Sequence, residues 1–575
     1  MKRLLRHLKP YTGYIIGVLL LVFFQSLAEL YLPTLMSDIV DTGIVQGNTN
    51  YILKIGGFML LVAALGTICA ILASYFSSKT AMGFGSILRA QVFERVEDYS
   101  LSEFEQFGTA SLITRTTNDI TQLQQVVMVM LRMMLSAPMM AIGGIIMAIS
   151  LDAKLSLVIV AIMPIITLAI MILTRKSVPL FNKLQEKLDH LNLVVRENLT
   201  GMRVIRAFNK TEHEKKRFNN ANKDLTETAL RVYKMMALLM PLMMLLLNLG
   251  ILALVWFGSI RIDNGSMQVG QLMAFIQYVM HIMFSFIMVS MLFVMIPRAS
   301  ASAARINEVL DVVPEMQDPQ EEKKIINLAG HLEFRNVTFS YPGAEKPVLK
   351  DISFSVRPGE TVAFIGGTGS GKSTLVDLIL RFYDIDEGNI LLNGVDIRDI
   401  SQENLRKRIG YVPQKALLFN GTIRENIRYG NLEATDEEIK QAAEIAQALE
   451  FISDMPDGFD SMVSQGGTNL SGGQKQRLSI ARAIVRKPEI YVFDDSFSAL
   501  DFKTDAKLRA ALNKEIENAT VLIVAQRVST IMNADKILVL ENGQIAGMGK
   551  HRELLNTCEV YREIVSSQLS EEELA

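Results

Sequence analysis

Gly366-Gly367-Thr368-Gly369-Ser370-Gly371-Lys372-Ser373 is the stretch on which the reading of this chain turns. A strand-like run, Thr361–Ile365, leads into it, and a helical pattern over Thr374–Arg381 leads out. A glycine-rich turn between strand and helix aims backbone N–H groups and a helix N-terminus at one point, which makes a cradle for phosphates. Lys372 is then placed to reach the β- and γ-phosphates of a nucleotide, and Ser373 to ligate Mg2+. Gly366, Thr368, Gly369, Ser370, Gly371 and Thr374 complete the expected nucleotide contacts. Asp494 ends a second apolar strand, Ile490–Phe493, where a carboxylate can hold Mg2+ in such a site.

Outward from this motif, strand-like and helical runs alternate from about residue 331 to 575, the pattern of an α/β domain. Pro314, Pro319 and the charge run Glu321–Lys324 read as a linker over 313–330. The part before it, 1–312, has a different character. Half of the 575 residues are hydrophobic, and the long apolar runs are concentrated here. Six blocks, near 14–36, 55–76, 128–150, 155–174, 235–258 and 269–296, are each long enough to cross a bilayer, which takes roughly 20 helical residues. The basic start, Met1 to Pro10, precedes an apolar run too long for a signal peptide and without a small-residue cleavage site, so it reads as a retained first span.

Orientation follows from the Lys and Arg residues between blocks. The N-terminus carries Lys2, Arg3, Arg6 and Lys9; the second connection carries Lys79, Arg89, Arg95 and Arg115; the fourth carries Arg175, Lys176, Arg203, Arg206, Lys215, Lys216 and Arg217 among others. The remaining connections carry one each, Lys54, Lys154 and Arg261. Both termini are therefore expected in the cytoplasm, in a cell membrane. The second and fourth connections run to about 50 and 60 residues with a helical pattern, so the spans should extend well beyond the bilayer. The net charge of −2 sets up no field for nucleic acid. Two cysteines, Cys69 and Cys558, are poorly placed for a structural disulfide.

Glu29 stands inside the first block. A carboxylate there should face a cavity or another helix, as a contact for cationic substrate or as a hydrogen-bonded structural group. Methionine is abundant, with clusters at Met128–Met147, Met235–Met244 and Met280–Met295. Its flexible side chain suits either a surface that adapts to many ligands or ordinary packing. Pro138, Pro164 and Pro241 fall inside blocks and are candidate kinks.

Leu470-Ser471-Gly472-Gly473-Gln474 narrows the family: it resembles the signature of ATP-binding-cassette proteins. Tyr341 in Phe-Ser-Tyr-Pro matches the adenine-stacking tyrosine of that family, Gln414 the glutamine that senses Mg2+, and Ser498-Ala499-Leu500-Asp501 the loop that crosses to the opposing site. The resemblance spans the chain. It implies a half-size exporter of the multidrug and lipid-flippase type: an α-helical six-span membrane domain followed by an α/β P-loop ATP-binding-cassette domain, using ATP and Mg2+. Segments Phe104–Asp119 and Phe208–Phe218 match the family's coupling helices.

The chain departs from the family at the chemical centre. Asp495 stands where the family has a glutamate that polarises water, and Gln526 where it has a histidine contacting the γ-phosphate. Gln465 replaces a common glutamate just before the signature. The family places each ATP between one chain's P-loop and the other chain's signature. This implies an impaired site at this chain's P-loop, while Ser471, Gly472, Gly473, Gln474 and Asp501 complete the site of a second, different half-transporter carrying the usual Glu and His. The leading function is export of amphipathic, drug-like compounds by that heterodimer. Lipid or lipopeptide flipping, import on the same fold, and an ATP-gated channel or regulator stand as alternatives.

Overall fold

The computed structural model describes residues 3–323, 330–515 and 519–568; part of the linker, 324–329, and the C-terminal residues from 569 lie outside them. They fall into two compact units, Met1–Arg95 with Ala110–Val312, and Val96–Thr109 with Val313–Ala575.

The first unit is helical. After a short 3-10 segment, Leu4–Tyr11, six long helices follow: α1 (Thr12–Asp38), α2 (Thr49–Glu97), α3 (Ile120–Leu151), α4 (Ser156–Thr200), α5 (Thr211–Asp263) and α6 (Val269–Asp311). Several are far longer than a bilayer needs; α5 has 53 residues, about 80 Å at 1.5 Å per residue. Five of the apolar blocks lie on helices long and apolar enough to cross a membrane. The block near 155–174 lies on α4, where the described apolar stretch is the shorter Ser156–Ile165. The helices run on through Pro138, Pro164 and Pro241. Within the apolar blocks there is no polar face to turn outward, and many large side chains (Leu60, Leu65, Ile146, Leu245, Trp256) are exposed, as a lipid solvent permits.

Within this unit α1, α3 and α6 share an apolar core, with Leu30, Met140, Ala148, Phe275, Tyr278 and Ile282 buried together. Small residues let the helices close up: a Cβ at Gly143 would fall 2.4 Å from Leu30, and one at Gly144 2.8 Å from Ile282. Polar pins hold the ends. Asp41 accepts from the backbone N–H of Gly270 at 2.6 Å. Asp119 pairs with Arg305 and accepts from Ser302 at 2.8 Å, and Asp152 pairs with Arg261.

The second unit holds two sheets. One is antiparallel, ordered β2 (Leu349–Val356), β1 (Leu332–Phe339), β4 (Glu387–Leu392), β5 (Val395–Asp396). The other is ordered β12 (Gln544–Gly549), β11 (Lys536–Glu541), β3 (Thr361–Gly366), β10 (Thr520–Val524), β9 (Ile490–Asp494), β6 (Ile409–Val412). All but the edge strand β12 are parallel in this second sheet. The parallel strands are continuous apolar runs, buried on both faces: Val362 to Ile365 and Ile490 to Asp494 are all buried. A two-stranded ribbon, β7 (Gly421–Thr422) and β8 (Met462–Val463), completes the unit.

Two local expectations shift. The helix after the glycine-rich loop, α7 (Lys372–Ile379), starts two residues earlier than Thr374, because Gly371 at φ 97° turns the chain sharply enough to begin it at once. The short helices of the two long connections are Leu101–Phe107, Thr109–Thr114 and Met202–Ala207, so the elements around 104 and 208 begin before the expected segments. Leu101–Phe107 belongs to the second unit. Ser100 and Glu103 form a capping box at its start, Glu103 accepts from the backbone N–H of Glu315 at 2.7 Å, and Leu101 packs on the cassette core.

Candidate nucleotide site

The site sits at the carboxyl ends of the parallel strands, where open α/β sheets bind ligands. β3 delivers the glycine-rich loop and β9 delivers Asp494, with β10 between them. Two strand spacings put β3 and β9 about 10 Å apart.

Three of the loop's four glycines, Gly366, Gly369 and Gly371, are required by contact or by conformation. A Cβ at Gly366 would fall 2.2 Å from the Leu540 carbonyl, and Gly369 and Gly371 have φ of 80° and 97°. Lys372 folds back over the loop, donating to the carbonyls of Gly366 at 2.9 Å and Gly367 at 2.7 Å and to Ser370 Oγ at 3.3 Å. Burial lowers its pKa, against the opposing pull of Asp495 and Asp494. An ammonium held by neutral oxygens is poised to exchange them for an anion.

Asp494 is buried, and its Oδ1 has no hydrogen-bond partner. Burial, then the neighbouring Asp495, pushes its carboxyl up to about 6; Ser373 and Lys372 act in the other direction. Gln414 donates from Nε2 to Asp495 Oδ2 at 3.3 Å. Ser373, Gln414, Asp494 and Asp495 therefore meet beside Lys372. The orphaned carboxylate oxygen with hydroxyl and amide oxygens nearby is a donor set that fits a hard divalent cation.

Asp495 has φ 46°, a conformation aspartate tolerates. Its N–H donates to the Val524 carbonyl at 2.9 Å, and its own carbonyl accepts from Ser498 Oγ at 2.8 Å. Arg527 donates to the Ser498 carbonyl at 3.3 Å, so the loop through Asp501 is tied both to Asp495 and to the turn carrying Gln526. Gln526 is exposed, and its carbonyl accepts from Gln568 Nε2 at 2.8 Å, while Gln568 Oε1 accepts from the Val528 N–H at 2.8 Å.

Tyr341 lies against Phe339 and Tyr383, with its hydroxyl 3.0 Å from Thr374 Oγ1 at the start of α7. Behind it is a group the motifs did not reveal. Asp377, one turn into α7, is pushed up to about 7 by burial, then by Asp494 and Glu105. Tyr383 is pushed up to about 12 by burial, then by Glu105. Glu105 comes from the short helix Leu101–Phe107, far away in sequence.

The signature residues occupy a different place. Ser471 caps α8 (Gly472–Ile484), accepting from the Gln474 N–H at 3.3 Å, while Gln474 Oε1 accepts from the Ser471 N–H at 2.9 Å. Ser471 and Gly472 are exposed, and Gly473 approaches the Ala499 carbonyl. Asp501 is exposed and accepts from the Thr504 N–H at 2.9 Å. Among the described residues, no hydrogen bond joins Ser471 or Asp501 to the phosphate loop. Gln465 opens a one-turn 3-10 segment just before the signature. Glu29 lies elsewhere, half-buried on α1, where it accepts from Gln25 at 2.9 Å.

Comparison with known proteins settles what this geometry belongs to. Residues 15–286 match the ABC transporter transmembrane region, and residues 349–498 match the ABC transporter family. The chain belongs to the ABC transporters. An uncharacterized ABC transporter ATP-binding protein of Mycobacterium tuberculosis is 42% identical over 98% of this chain and 97% of its own length. The ATP-dependent lipid A-core flippase of Syntrophus aciditrophicus is 31% identical over 100% of this chain and 95% of its own. A bacterial Atm1-family ABC exporter solved with ATP bound superposes with a TM-score of 0.80 at 27% identity, covering 97% of this chain and 99% of that one. This ABC transporter is thus a multi-pass membrane protein with a cytoplasmic cassette, and an ATPase coupled to transport.

Proposed function

We propose that this ABC transporter is one half of a heterodimeric exporter that moves a lipid-like amphiphile, and that its own P-loop holds the slower of two ATP sites. The observation that carries the second part is Asp495, one methylene short of the usual glutamate and hydrogen-bonded to Gln414, with neutral Gln526 where a histidine is usual. Both changes fall on water activation and γ-phosphate contact, and neither touches the loop that binds phosphate.

In this reading the backbone N–H groups from Gly366 to Ser373 and the Lys372 ammonium hold the phosphates, and Tyr341 stacks on adenine. Ser373, Gln414 and Asp494 would hold Mg2+, which would supply positive charge against the phosphates. Asp495 orients the attacking water weakly, and Gln526 can hydrogen-bond the γ-phosphate without carrying charge. Ser471, Gly472, Gly473, Gln474 and Asp501 serve a partner's nucleotide. The Ser471 oxygen is engaged in its cap, so its hydroxyl hydrogen remains to donate to that γ-phosphate at the N-terminus of α8. All six blocks, including the one on α4, are spans of the membrane domain over 1–312, joined through 313–330 to the cassette over 331–575.

The cargo reading moves from drug-like compounds towards lipids. Support comes from the lipid A-core flippase that aligns along the whole chain. Drug-like amphiphiles use the same chemistry and are one outcome of the test. Co-expression with a half-transporter carrying Glu and His should yield a one-to-one complex with clear ATPase activity, stimulated more by lipid than by dye. A homodimer with full turnover would refute the asymmetric assembly, and stimulation by dyes alone would return the cargo to the drug-like class.

A further inference from the structure

Side chains that charge near neutral pH are scarce in the apolar blocks: within the six, only Glu29, Arg132 and His281 do so. Glu29 is in the first block, on α1, and His281 is in the last, on α6. Tyr278, fully buried one turn before His281, donates its hydroxyl to the Leu30 carbonyl at 2.9 Å and lies 2.7 Å from Thr34 Oγ1. This pins α6 to α1 at the residue beside Glu29 and one turn before His281, so that the two side chains stand at one level of the paired helices. Gln25, one turn before Glu29, donates to its Oε1 at 2.9 Å. Ser26 beside it is 1% exposed, with a hydroxyl that has no partner.

No other charge competes at this level. The stretches of α2, α3 and α5 at membrane depth, 55–78, 134–151 and 235–260, contain no acidic or basic residue. Arg132 is exposed and 12 residues before Gly144, which packs on Ile282; that is about 18 Å along α3. Asp38 and Asp41 lie beyond two further turns of α1, where Asp41 is engaged by Gly270. Glu29 and His281 are thus an acid and a base at one level of α1 and α6 with no other carboxylate, lysine or arginine beside them; the phenols Tyr31 and Tyr278 follow Glu29 and precede His281 by two and three residues, and Ser26, whose hydroxyl has no partner, lies one turn before Glu29. A carboxylate in so apolar a setting demands a positive counter-charge. Gln25 is neutral and cannot supply it.

We propose that Glu29 and His281 form a headgroup station selecting amphiphiles with a protonated amine, open while His281 is neutral and closed when His281 takes a proton and pairs with Glu29 itself. This rests on the cargo being an amphiphile and adds its headgroup class and a proton dependence. The acyl part would lie along the apolar flanks, and Ser26 and Gln25 would give hydrogen bonds to the head.

The test is equilibrium binding to the full-length protein in lipid nanodiscs, corrected for empty discs, of a long-chain primary alkylamine and the alcohol of the same length. Measurements at about pH 7.5 and about pH 5.5 bracket the ordinary histidine value, while an alkylamine, like lysine, stays protonated at both. The wild type should bind the amine about tenfold more tightly than the alcohol at the higher pH, the scale of one partly screened charge contact, and lose that preference at the lower. His281→Gln should keep the preference at both pH values. Glu29→Gln, which can still accept from Gln25, should lose it at both. An amine preference absent in the wild type, surviving in Glu29→Gln, or still pH-dependent in His281→Gln would overturn the station while leaving the amphiphile reading intact. Failure to bind either compound would overturn both. The wild-type pH profile needs no variant, so the proposal stays testable if one folds poorly.

Discussion

Asp495→Glu combined with Gln526→His should speed hydrolysis at this chain's P-loop. The Asp495 backbone is held at both ends, its N–H on the Val524 carbonyl and its carbonyl on Ser498 Oγ, so its Cα cannot advance to compensate for a short side chain. The missing methylene then leaves the carboxylate about 1.5 Å from where a glutamate would put it. Misplacement on that scale costs about 100-fold, within the range general-base catalysis spans. Asp495 is only half-buried, so the longer side chain has room. The double change should therefore raise turnover at this site roughly 30- to 100-fold, about 2–3 kcal/mol in barrier. Asp495→Glu alone should give only a few-fold, since Gln526 still meets the γ-phosphate without charge. The assay is steady-state ATPase in complexes whose partner site has been silenced at its P-loop lysine, so that only this site turns over. No gain from the double change would refute the reasoning. So would an unaltered complex in which Asp495→Asn stops turnover as fully as losing the partner's glutamate.

Three further outcomes can be checked. Ser471→Arg fills the exposed cap with a bulky cation; it should abolish most turnover of the complex while leaving nucleotide binding at this chain's own loop close to normal, measured by fluorescent-nucleotide titration. Asp377 has a folded pKa near 7 against 3.8 in the unfolded chain, so the native state holds the extra proton and stability falls as pH rises between these values. Asp377→Asn should stabilise the nucleotide-free protein by about 2 kcal/mol near pH 8, after discounting for solvent exposure, with the gain fading towards pH 4, as thermal melts would show. Gln568→Ala removes two 2.8 Å bonds from the Gln526 turn; hydrogen exchange there should quicken, with about 1–2 kcal/mol of local stability lost, and unchanged exchange would count against Gln568 as its brace.

Much of this protein was legible in the chain because the deciding features are local. The phosphate loop is eight consecutive residues whose glycines and helix start are set by backbone geometry, and the signature is a helix cap with its partner three residues on. The apolar blocks declare themselves by composition, since a bilayer tests each segment separately. Where local signals were weaker, the reading drifted by a few residues, at the start of α7 and at the short helices near 104 and 208.

Other features had no local trace. Only the strand order, with β10 between β3 and β9, brings Asp494 beside Lys372, and only β6 packing against β9 carries Gln414 to Asp495. Only tertiary packing places Glu105 near Asp377 and Tyr383, joins Gln568 to the turn at Gln526, and brings two isolated ionisable residues, Glu29 and His281, to one level of α1 and α6. Each of these contacts closes a long loop, and the free energy that selects it is the burial of surrounding apolar surface, which the sequence near either partner does not encode.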